Sequence, residues 1–133
     1  EKDGVSIEEG VRRVVNKYCE DLIEIIKYSN KKKSQEEELD FKNIIIWGPH
    51  PPHRSPNHPY TDTKDMNVIN NITKEFNEYL RLKSSQYNWK YISLFDKLNN
   101  SDINSYYRTN DTIHLDSQKV KQLYLDRIEY IIN

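Results

Sequence analysis

The run Ile44-Ile45-Ile46-Trp47 constrains the fold more than any other stretch, because it is apolar without alternation and stops at Gly48-Pro49. A strand with one wet face alternates polar and apolar side chains. A continuous β-branched run reads instead as a strand covered on both faces, as in a parallel sheet flanked by helices. The flanking chain agrees. Ser6 with Glu9 three residues later makes a capping box, with Ser6 as N-cap. Val11, Val15, Tyr18, Leu22 and Ile25 then recur at helical spacing, predicting a helix over about 7–28, with Val14 and Ile26 widening its stripe. Residues 30–40 form a polar linker in which Lys31-Lys32-Lys33 is followed by Glu36-Glu37-Glu38.

Beyond the strand, residues 50–60 contain four prolines and exclude regular structure. A second helix starts between Thr61 and Asp65 and ends near Lys83. Its stripe is Met66, Ile69, Ile72 or Thr73, Phe76, and Tyr79 or Leu80. A second strand is expected over 90–95, ending at Asp96, and residues 97–112 read as polar turns with at most one helical turn. The last helix takes Asp116 as N-cap, with Lys119 at the third helical position. It continues through Val120, Leu123, Leu125 or Tyr124, Arg127, Ile128 and Ile131.

Helix, strand, helix, strand, loop, helix is the connectivity of a doubly wound α/β fold. Two strands are too few to cover three long helices. The expectation is therefore an α/β unit, with 1–133 either a single domain or the C-terminal half of a larger one. A missing N-terminal segment or a partner chain would complete its sheet.

Composition removes several functions. Twenty basic residues against twenty-one acidic ones leave a formal charge of -1, without the basic stripe that nucleic-acid binding needs. No apolar run is long enough to span a membrane, and no helix pairs a basic face with a broad apolar one for membrane-surface binding. Glu1-Lys2-Asp3-Gly4 lacks the apolar core of a signal peptide, so a cytoplasmic location is expected. Cys19 is the single cysteine and cannot form an internal disulfide. Beside Tyr18 and Leu22 it reads as a partly buried thiol without an activating neighbour. Three glycines cannot supply a phosphate cradle, and no cofactor is expected.

Chemistry in such folds gathers at the carboxyl ends of the strands. There the turn into the last helix carries Asp111-Thr112-Ile113-His114-Leu115-Asp116. An Asp three residues before a His can accept the imidazole Nδ1 proton and leave Nε2 as a base. This block resembles the terminal D-x-x-H block of the SGNH (GDSL-type) hydrolases, and Ile44 to Pro52 resembles that family's late strand and Pro-rich exit loop. The resemblance covers about residues 40–133. It implies a flavodoxin-like three-layer α/β/α sandwich and metal-free hydrolysis of acyl esters, often O-acetyl groups on sugars, through a Ser-Asp-His triad. His114 would be the general base and Asp111 its orienting acid. The family's Gly-Asp-Ser and Gly-x-Asn blocks are absent from this chain, so the nucleophile serine is expected upstream of residue 1.

Other residues compete for a role. Ser55, Ser93 and Ser101 lack the strand-to-helix elbow that exposes a nucleophile. His50, His53 and Arg54 suit the rim of a cleft touching substrate, and Tyr107, in Tyr106-Tyr107-Arg108, can line a sugar-sized pocket. His50, His53 and His58, with Asp62 nearby, offer a rival metal reading, although the prolines make convergence difficult. The alternative to the hydrolase is a non-catalytic α/β module that binds a partner or a glycan and keeps a vestigial D-x-x-H.

Overall fold

The computed structural model describes residues 6–31, 44–52, 66–100, 102–109 and 114–132. Helix α1 spans Ile7–Asn30, and Ser6 caps it by accepting the Glu9 N–H at 3.1 Å. Glu9 does not reach back to close the box. Its carboxylate meets Arg13 instead, one of three exposed i,i+4 ion pairs with Glu8–Arg12 and Lys17–Asp21. Such pairs add little stability, so α1 is held by its buried side.

That side differs from the expected stripe. Val11, Val15, Cys19 and Ile26 are the buried positions, whereas Tyr18 and Ile25, both on the expected stripe, are 46% and 63% exposed. The apolar arc of α1 is wider than one seam, and the body of the protein covers only one edge of it. Cys19 is fully buried rather than partly so, and burial pushes its thiol up from the ordinary value.

Strand β1 (Ile45–Trp47) pairs in parallel with β2 (Lys90–Ile92), with Ile46 opposite Tyr91. Helix α2 (Met66–Gln86) is the crossover between them. Asn88 ends it in the left-handed region at φ 61°. The Trp89 N–H returns to Ser84 O at 2.8 Å and the Asn88 N–H to Ser85 O at 3.1 Å, a Schellman closure with Asn where Gly is commoner. The closure turns Trp89 inward to 4% exposure, into a core with Val11, Val15, Cys19, Ile46 and Leu80.

The second strand is shorter than the expected 90–95. Ser93 Oγ accepts the Phe95 N–H at 3.1 Å, and the chain turns there into the short helix α3 (Phe95–Leu98). A 3-10 turn follows at Ile103–Tyr106. This stretch looks polar in sequence, yet Leu94, Leu98, Ile103 and Tyr107 form a second core with Val120 of helix α4 (Ser117–Ile132). Asp116 caps α4 by accepting the Gln118 N–H at 3.0 Å.

Among the described residues, then, the sheet has two strands of three residues, and helices supply most of the structure. The expected flavodoxin-like α/β/α sandwich is not what forms, and the likeness to an SGNH hydrolase falls with it. The parallel crossover was read correctly, but a mostly helical domain with a minor open sheet surrounds it. Helix packs directly on helix, with α1 lying against α2.

Candidate functional site

Three segments meet beyond the carboxyl ends of the strands: 48–52 after β1, 93–98 after β2, and the turn into α4. Asn77, from α2, organises the first two. It is 7% exposed. Its amide donates to Pro49 O at 2.8 Å and Thr73 O at 3.0 Å, and its carbonyl accepts the Ser93 hydroxyl at 2.7 Å and the Tyr91 hydroxyl. Both donors and both lone pairs are used, so Asn77 has nothing left for a ligand. Burial pushes the Tyr91 phenol up to about 12. Gly48 lies so close that a Cβ there would overlap the Tyr91 hydroxyl and the Asn77 carbonyl oxygen. These groups are mortar. Sequence periodicity passes over Asn77 because it is a polar residue at an inward helical position.

Tyr107 ties the third segment to the first. Its hydroxyl donates to Pro51 O at 2.6 Å, and the residue is 4% exposed. It also forms a bridge with Leu115, through Arg108 N–H to His114 O at 2.8 Å and Asp116 N–H to Tyr106 O at 2.7 Å. His50 packs edge-on against the Tyr107 ring, with centroids 5.7 Å apart. Burial holds His50 below the ordinary histidine range, and the nearness of His114 pushes the same way.

The other expected residues divide. His114 is exposed and immediately precedes Leu115, its carbonyl accepting the Arg108 N–H within that bridge. Asp111, His53 and Arg54 lie outside the described residues, as do His58, Asp62, Ser55 and Ser101. Ser93, the one described candidate nucleophile, spends its hydroxyl on Asn77 and Phe95. The hydrolase reading is thereby corrected. Among the described residues no triad geometry is found, and the sheet has only two short strands rather than the array that would align such a triad. Nor is there a group of three or more His, Cys, Asp or Glu able to hold a metal among those residues, and no helix there is long and apolar enough to cross a membrane.

The surface that remains lies at the outer edge of β1. Trp47 is 51% exposed, with its ring 5.0 Å from that of Tyr124 on α4. Burial raises the Tyr124 phenol above its ordinary value. Beside the pair opens a cavity of about 570 Å³ lined by His50, Leu115, Gln118, Lys121, Tyr124 and Leu125. The sequence signal for this surface was present in Ile44 to Trp47, which reads as an interior strand but, among the described residues, has a neighbour on one side only.

Fold and surface together define a small, mostly helical domain with one parallel crossover unit and a sheet edge that no described residue covers. No protein-family model matches the chain, and neither the curated proteins nor the solved structures contain a match to it.

Proposed function

We propose that the chain is a non-catalytic interaction module and that β1 with the adjoining face of α4 is its contact surface. The observation that carries this reading is the character of β1 at an edge. Soluble proteins protect such edges with charge, proline or a bulge. Ile45–Trp47 carries none of these and is guarded among the described residues only by its shortness, and its half-exposed Trp47 continues into Tyr124 and the 41%-exposed Leu125 of α4. Aromatic anchors beside a polar rim, here Gln118 and Lys121 with His50, are the usual makings of a protein contact. A sugar platform would want the Tyr107 ring exposed, and its burial favours a protein partner over a glycan.

The test is a photo-crosslinking amino acid placed at Trp47 in the full chain in cells, with the same residue at exposed Lys17 as control. A discrete adduct from position 47 and none from position 17 is expected. Absence of any adduct at 47 overturns the reading. So does esterase turnover of p-nitrophenyl acetate that His114→Ala abolishes.

A further inference from the structure

We infer that this surface is self-complementary and takes a second copy of the same chain across a two-fold axis passing near Ile46 and Leu125. The inference rests on the interaction reading and adds the identity of the partner.

Two elements carry it, each symmetric by itself. In the parallel register Ile44, Ile46 and Gly48 turn their main-chain groups toward β2, as the Lys90 N–H to Ile44 O bond of 2.9 Å and the Gly48 N–H to Ile92 O bond of 2.7 Å show. The N–H and C=O groups of Ile45 and Trp47 therefore point outward, and no described residue bonds to them. Antiparallel pairing of this edge with a copy of itself uses all of them in one register, with Ile45 opposite the partner's Trp47 and Ile46 on the axis. Opposed residues share a face of the sheet, so each Trp47 covers the partner's Ile45. Three residues of strand are too few to hold a dimer alone.

Helix α4 supplies the rest. Lys121, Leu125 and Glu129 follow one another at spacings of four and are all exposed. Set antiparallel about Leu125, two such helices place each Lys121 opposite the partner's Glu129. The Trp47–Tyr124 contact at 5.0 Å brings the last residue of the strand, next to Ile46, against the residue next to Leu125, so one axis serves both. Residues 44–52 carry no acidic or basic side chain apart from His50, so within this segment no like charges face each other when two strand edges approach. Such an isologous contact is the commonest way that chains self-associate.

Sedimentation equilibrium of the full chain tests this. The mass should rise with concentration from 16.0 kDa toward twice that value. Lys121→Glu and Glu129→Lys should each weaken association about tenfold or more, and the double exchange should recover most of the loss. Amide exchange at Ile45 and Trp47 should slow as concentration rises. A chain that stays monomeric throughout, or a dimer indifferent to both reversals, overturns the inference. An adduct from position 47 to a different protein would also overturn it while leaving the interaction reading intact.

Discussion

The Asn77 amide donates to the Pro49 carbonyl at 2.8 Å across 28 residues of sequence. This bond binds the crossover helix to the chain just past β1, and the same carboxamide receives hydroxyls from β2 and the residue after it. Asn77→Ala would strip four groups of their shared partner in a nearly dry site. The expected loss is about 2–4 kcal/mol, read as a lower urea midpoint with an unchanged slope.

Gly48→Ala should be nearly as harmful for a steric reason. The added methyl meets the Tyr91 hydroxyl and the Asn77 carbonyl oxygen, which cannot both retreat without breaking their own bond. Overpacking of this kind costs about 1–3 kcal/mol, and thermal unfolding will register it. A melting temperature equal to that of the parent would show that the approach is looser than described.

Val14 and Val15 are sequence neighbours with opposite fates, at 57% and 0% exposure. Val15→Ala should cost about 1–2.5 kcal/mol through lost burial and a residual cavity. Val14→Ala should stay within about 0.5 kcal/mol. Equal effects at the two positions would place the inward face of α1 elsewhere.

Tyr107→Phe removes the hydroxyl that reaches Pro51 O at 2.6 Å and leaves that carbonyl facing a ring edge. A loss of about 1–3 kcal/mol is expected. Amide exchange should quicken over 103–107, where the second core closes, more than over α1.

His50 gives the pH dependence a sign. Its folded value lies below the ordinary one because of burial first and His114 second, so the unfolded chain takes up the proton more readily. The stability it contributes is complete above the unfolded value of roughly 6.5 and falls as pH drops through that value toward the folded one. Comparing melting curves between pH 7.5 and 5 for the parent and His50→Asn isolates the effect. The variant should start lower, having lost the Tyr107 contact, and decline less.

Much of the scaffold was legible in the sequence. The Ser6 and Asp116 caps, the β-α-β order and the stop at Gly48 follow from local chemistry that tertiary packing does not override. The inward face of α1 was misread because Tyr18 and Ile25 satisfy helical spacing as well as Cys19 and Ile26 do, and only the position of α2 decides between them. The second core was missed because Leu98, Ile103 and Tyr107 are spread among polar residues in short turns, where no periodicity forms. Asn77 was invisible for the opposite reason, since nothing in a polar residue at an inward position says that four partners await it. The triad reading had one short motif to stand on, and its Asp111 is not among the described residues.

The two tryptophans sit in opposed environments, Trp47 half-exposed at the strand edge and Trp89 at 4% exposure with its ring 4.8 Å from Tyr87. Light emitted by this protein therefore comes in two separable parts. A soluble quencher reaches the redder one and leaves the bluer one alone, so a single cuvette distinguishes an event at the edge from the loss of the core.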